Sequence, residues 1–341
     1  MIDKESYIER IKEIMDEQGF TSVEAFSEVC GVNKEYIRQI LKGSRDIGEL
    51  EAKIAYGLGV TVRRLRMEDT REQIIKAEND LLLPEVNIQE LIKSVNVLYK
   101  KAIGITEKAD MLYLLSSVYK HGRLWNECVQ TCEDALQLLI RQKKAKSMSK
   151  IGKRPDGDRI RKVISRYLFA LKSSQRLHEY VALIEKYEQY FDVDARAKSE
   201  LLYRKGNAKF RLNYWKEAED SYNSALEGFR VLNDKEYEFR ILVNIAMIYA
   251  EREFYVTAID ILNEAEKLLQ YETAFDSLMN YQYVVAKILF VNGSDLETIE
   301  KRLDNAMGRY GKLEGKPMLI YHILKQGVDL ALKRQLIQAV F

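Results

Sequence analysis

Apolar and small residues recur with a long period over most of this 341-residue chain. Leu112, Leu115, Tyr119, Cys128 and Ala135 have the same spacing as Leu242, Ile245, Tyr249, Ala258 and Ala265. Leu202, Gly206, Ala218, Tyr222 and Ala225 make a third copy. Weaker copies occur at Leu168, Leu171, Ile184 and Tyr187, and at Phe290, Ile299, Leu303 and Ala306. Outside one insertion the recurrence is about 38 to 41 residues, long enough for two helices per copy. A helix pair of that size cannot bury its apolar face alone, so the copies must stack, here from Ile88 to Tyr310. Small residues at the crossings allow close approach, and aromatics fill the grooves between. With only three prolines in the chain, little interrupts long helices. The expected fold class is all-α, with the helix pairs stacked into an α-solenoid that presents a concave inner wall.

The first 66 or so residues do not share this period. Ser22–Arg45 reads SVEAFSEVCGVNKEYIRQILKGSR: a short helix with Phe26 and Val29 as its apolar face, a turn at Gly31 and Val32, and a second helix. Asn33 is placed to cap that second helix. Ile37, Ile40 and Leu41 follow the spacing of one buried face, and Lys34, Glu35, Arg38, Gln39 and Lys42 fall on the other, before a stop at Gly43. Tyr7, Ile8, Ile11, Ile14 and Met15 form a preceding amphipathic helix. Leu50, Ile54, Ala55 and Leu58 form a fourth, and Val62 and Leu65 begin a fifth. Two helices joined by a short Gly-containing turn, the second facing outward, make a helix-turn-helix arrangement. The expected division is 1–69 for this head, 70–86 for a linker helix stopping before Pro84, and 87–341 for the repeats.

Charge supports a local rather than global attraction for DNA. Residues 1–70 hold eleven Lys/Arg against fourteen Asp/Glu, so positive charge must be concentrated to act. Between Lys34 and Arg45 it is. The insertion 141–162 carries ten Lys/Arg and two Asp. It reads as a solvated loop, with a basic arm toward DNA or an acidic partner as the alternative. Lys316–Phe341 is too apolar for a free helix, so it either caps the last repeat or packs against a second subunit.

Nothing points to catalysis. His121, His178 and His322 lack partners at a recognisable spacing, and GKRPDGD lacks a phosphate-loop spacing. Cys30, Cys128 and Cys132 suit reduced thiols, and Cys128 with Cys132 lacks the further ligands a metal needs. No cofactor and no metal are expected. No run of apolar residues is long enough for a membrane span. MIDKESYIER lacks a signal core, so a cytoplasmic protein is expected. The inner wall offers a ligand-binding set instead: Tyr113, Ser117 and Lys120; Tyr203, Asn207 and Arg211; Arg240, Asn244 and Met247; Tyr283 and Lys287. Asn amides can pair with both groups of an extended peptide backbone, while Tyr and Arg add contact area and carboxylate recognition.

Phe26, Gly31–Val32, Ile37, Gly43, Leu50, Ile54–Ala55, Leu58 and Val60 resemble the five-helix DNA-binding domain of the Cro/C1 (XRE) family. That resemblance implies base contacts from Lys34, Glu35 and Gln39, and phosphate contacts from Lys42, Ser44 and Arg45. Gly206, Ala218, Tyr222 and Ala225 resemble the tetratricopeptide family, which implies a right-handed α-solenoid. The two together, across the whole chain, resemble the RNPP peptide-pheromone receptors of Gram-positive bacteria and their phages, such as PlcR, NprR, PrgX and the arbitrium receptors. What this implies is a transcription regulator of the quorum-sensing type: a homodimer on a double-stranded DNA operator, with a short signalling peptide bound in the concave groove. The other open reading is a protein-interaction scaffold of the Rap type, or an immunity regulator, whose repeats grip another protein.

Overall fold

A computed structural model describes residues 4–141, 155–268, 271 and 275–291. Among them every regular element is helical, and the fold class is all-α. The chain divides into two compact units between Leu183 and Ile184.

The first unit opens with α1 (Lys4–Glu17), α2 (Val23–Cys30) and α3 (Lys34–Leu41), then a 3-10 turn at Gly48–Leu50, α4 (Glu51–Gly57) and α5 (Val62–Leu65). Ile11, Ile14, Phe26, Ile37, Ile40, Ile54, Leu58 and Leu65 form its core. Each burial of this kind contributes about 1.5–3 kcal/mol. The helix starts are set by side chains: Ser22 Oγ accepts from Ala25 N at 3.1 Å, Asn33 Oδ1 from Glu35 N at 2.8 Å and Thr61 Oγ1 from Arg64 N at 3.1 Å. One expectation fails on α2. Val29 is half exposed, and Cys30, four residues after Phe26 on the same face, is buried in its place. A Cβ on Gly57 would come within 2.5 Å of Cys30 Cβ, so the α2–α4 contact requires glycine there.

Next come α6 (Glu68–Asp80), α7 (Ile88–Lys101), α8 (Ile105–His121), α9 (Trp125–Arg141) and α10 (Pro155–Ser173), followed by α11 (Leu177–Tyr187), which carries the dividing point. α6 ends short of Leu83, because Leu82 N and Leu83 N turn back to the carbonyls three residues earlier, Asn79 O and Asp80 O. Asn87 caps α7, accepting from Glu90 N at 3.2 Å. The basic insertion is not all loop: residues 155–162 form the start of α10, with Pro155 at its first position, where a missing N–H costs nothing. Residues 142–154 lie outside the described residues.

The second unit contains a 3-10 turn (Glu188–Phe191), α12 (Ala195–Arg211), α13 (Trp215–Val231), α14 (Lys235–Glu251), α15 (Tyr255–Glu266) and α16 (Phe275–Val291). α8 pairs with α9, α12 with α13 and α14 with α15. The first helices of successive pairs start at 155, 195, 235 and 275, a period of 40. Each turn inside a pair closes the same way: Leu124 N bonds Tyr119 O, Arg176 N bonds Leu171 O, Tyr214 N bonds Lys209 O and Phe254 N bonds Tyr249 O, at 2.8–2.9 Å. That six-to-one bond requires a left-handed residue, supplied here by Arg123, Gln175, Asn213 and Glu253. At the α12–α13 crossing, a Cβ on Gly206 would lie 2.6 Å from the Tyr222 ring. Ile299, Leu303 and Ala306, and the apolar stretch from Lys316, lie outside the described residues.

Candidate functional site

α3 presents the polar face expected of it. Lys34, Glu35, Lys42, Ser44 and Arg45 are exposed, and Gln39 is half-buried. Ile37 and Ile40 anchor the opposite face in the core. Ser44 Oγ donates to Gln39 O at 3.1 Å, which fixes the turn after the helix. Arg45 stacks on Tyr36, its guanidinium carbon 3.9 Å from the ring centroid. Sequence reasoning missed Tyr36, although it lies on the outward face beside Glu35. Arg38 departs from expectation: it pairs with Glu24 on α2 and lies 3.5 Å from Glu35. It therefore holds α2 and α3 together rather than reaching outward unopposed.

A buried ionic knot ties this head to the α7–α8 turn. Arg10 on α1 donates to Leu65 O (2.9 Å), Ile103 O (3.1 Å) and Arg64 O (3.1 Å), and lies 2.9 Å from Glu107 on α8. Glu107 also takes Arg64 and accepts from Ile103 N at 2.9 Å. Burial pulls the Arg10 guanidinium below its ordinary pKa, with Glu107 opposing. Beside it, Glu13 accepts from Thr106 N at 3.0 Å, and Glu17 accepts from Gly104 N at 2.6 Å and pairs with Lys108. Burial pushes the Glu17 carboxyl up, but the Lys108 ammonium and Gly104 N–H outweigh it and hold it below the usual carboxylate range. A signal for this knot was present in the sequence. Arg10 falls on the buried side of α1, four residues before Ile14, where a charge demands a partner.

In the first unit, Tyr113, Ser117 and Lys120 on α8 all line a trough of about 790 Å³ between α6, α8 and α10. Ile74, Leu81 and Leu82 make its apolar side, and Arg159, Lys162 and Arg166 of α10 its basic side. Arg159 Nε lies 2.9 Å from Asp110. Arg166 donates to Tyr113 Oη at 3.3 Å and lies over that ring.

In the second unit, Tyr203, Asn207 and Asn244 come together. Asn207 Oδ1 accepts from Tyr222 Oη at 2.8 Å and from Asn244 Nδ2 at 3.0 Å, and Asn244 Nδ2 lies 3.4 Å from Tyr203 Oη. These bonds use the Asn207 carbonyl and the Asn244 amino group, leaving the opposite halves of both amides for another partner. Burial pushes the Tyr222 phenol well above its ordinary pKa, so it remains a donor. Arg240 pairs with Glu236 and stacks on Tyr237. Lys287 lies 2.8 Å from Glu251 and Tyr283 Oη 3.5 Å from it, so Glu251 belongs to this wall and was missed. Arg211 is exposed at the end of α12. Met247 is half-buried and packs against the core. Among the described residues no group of three or more His, Cys, Asp and Glu could hold a metal, and no helix is long and apolar enough to cross a membrane.

No family model and no curated protein matches this chain. Among solved structures it is similar to the signal transduction ATPase with a tetratricopeptide repeat sensor, PH0952, from Pyrococcus horikoshii: TM-score 0.54 at 14% identity, over 96% of this chain and 49% of that one. The fold is a tetratricopeptide-like helical repeat. Weaker likenesses, at TM-scores of 0.38 and 0.41, are to PlcR of Bacillus thuringiensis in complex with the peptide PapR7 and DNA (14% identity, 82% of this chain, 98% of that one) and to a Rap protein complexed with competence and sporulation factor (15% identity, 97% and 98%).

Proposed function

We propose that the chain is a DNA-binding transcription regulator whose repeats take a short signalling peptide. The observation that carries this is the α3 face. Lys34, Gln39, Lys42, Ser44 and Arg45 lie on one short helix and its following turn, the helix held by Ile37 and Ile40 in a closed core. A rigid helix with polar side chains aimed outward suits the major groove. In this reading Lys34, Glu35 and Gln39 meet base edges, and Lys42, Ser44 and Arg45 meet phosphates. The peptide lies along the inner walls, with its backbone on the unused halves of Asn207 and Asn244. The protein works as a cytoplasmic homodimer whose head spacing changes with peptide, provided the peptide prefers one conformation. Light scattering that gives a monomer at micromolar concentration, with and without peptide, removes the dimer from this reading.

Selection from a random duplex library, followed by binding assays across salt, tests the DNA reading. K34A and Q39A are expected to relax base preference, and R45A to weaken all sequences alike and reduce the salt slope by about 1. If no duplex is enriched, the head is not a reader of DNA. The Rap-like scaffold gains support from two facts: the head is net acidic, and Arg38 is committed to Glu24 and Glu35. For a scaffold, protein binding survives high salt and the α3 substitutions are silent.

A further inference from the structure

The trough between α6, α8 and α10 is chemically lopsided. On the α10 side Arg159 is matched by Asp110, and Asp158 is matched by Arg161. Three further cations have no carboxylate within ion-pair distance among the described residues. Arg166 rests on the Tyr113 ring, 5.2 Å from its centroid, and donates to that hydroxyl. Lys120 Nζ lies 4.8 Å from the Phe169 ring centroid. Lys162 is exposed at the rim. Cations held on aromatic faces keep their positive charge uncancelled and remain partly desolvated, which strengthens any later pairing with an anion. Across the trough, α6 offers Ile74 and Leu81 together with one carboxylate, Glu78. An acidic group is repelled from that wall and drawn to α10, while apolar side chains find α6.

We infer that this trough takes an acidic stretch of the signalling peptide, its carboxylates against Lys162 and Arg166 and its apolar side chains against Ile74 and Leu81. The inference names the chemistry of the guest and rests on the peptide-binding reading above. The position of the trough gives it a consequence. Its floor is α8, the helix that carries Glu107 of the ionic knot one turn before Asp110. A guest that orders the α8–α10 contact therefore acts on the element to which the head is tied.

The test uses the full chain and three fluorescent pools of six-residue peptides. Each pool combines Leu, Val and Phe with Asp/Glu, with Lys/Arg, or with Ser/Asn, and binding is read by anisotropy. The acidic pool is expected to bind at least tenfold tighter than the basic one. K162E combined with R166Q is expected to abolish that preference, with helicity and melting temperature confirming the fold. K162E alone, at an exposed site, should reduce the preference severalfold. Preference for the basic or neutral pool overturns the acidic guest while leaving peptide binding intact. Acidic binding lost in N244A but unchanged by K162E and R166Q also overturns it, since the guest then lies on the second unit's wall. If no pool binds, the peptide-binding reading fails with it.

Discussion

Single residues decide whether the inner wall of the second unit is a framework or a site. Asn207 and Asn244 spend half of their hydrogen-bonding capacity on each other and on Tyr222. N244A removes one donor to a carbonyl that keeps the Tyr222 hydroxyl, so the expected stability loss is small, about 1 kcal/mol. Peptide affinity is expected to fall by tenfold or more, read by anisotropy beside a melting curve. An equal loss in stability and binding shows instead that the pair is structural. Gly206 gives the opposite result. A methyl group there meets the Tyr222 ring at 2.6 Å, and G206A is expected to cost about 1–3 kcal/mol of overpacking, measured by chemical denaturation. Gly206 was readable as a repeat residue, but the ring it faces was not. The Arg38 pairing with Glu24 was equally hidden, since nothing in the spacing brings α2 and α3 side chains together.

Elements carry the connection between head and repeats. α1 and α8 are far apart in sequence, yet Arg10 and Glu107 meet in a buried knot with Arg64. Removing one partner leaves charges buried without compensation. E107A is expected to destabilise the first unit by about 3–5 kcal/mol. The neighbouring contacts add a pH dependence. Glu17 has a folded pKa below its ordinary value, so its contribution is complete above the unfolded carboxylate pKa. It is lost as pH falls through the folded one. Denaturation midpoints measured from neutral pH downward should therefore drop in acid, and E17Q should flatten that limb. A parallel curve for E17Q assigns the acid sensitivity elsewhere, with Glu51 the next candidate. Burial pushes the Glu51 carboxyl up, but Arg66 and Tyr7 hold it low. The knot also bears on the expected linker at 70–86. α6 runs between the head and α7, but the head has a second attachment through α8 that the sequence division did not foresee.

At the scale of the whole molecule, packing divides the chain into two compact units between Leu183 and Ile184. The helical class, the paired repeats, the caps at Asn33 and Asn87 and the outward face of α3 were legible because they depend on local rules. Period, capping and amphipathicity are written within one or two turns of a helix. Three features were decided only by tertiary structure: the ionic knot, the trough between α6, α8 and α10, and the pairing of Asn207 with Asn244. In each, groups distant in sequence meet because stacked helices bring them together. No spacing rule encodes which charge a fold will bury against which. The early start of α10 at Pro155 belongs between these cases. A proline at the first helical turn was visible, but a run of ten cations around it favoured a loop until Asp110 and Asp158 were seen to engage Arg159 and Arg161. The sequence by itself determined the helices and their repeat. Packing alone chose the partners of their polar side chains, because desolvation sets that choice and depends on every neighbour at once.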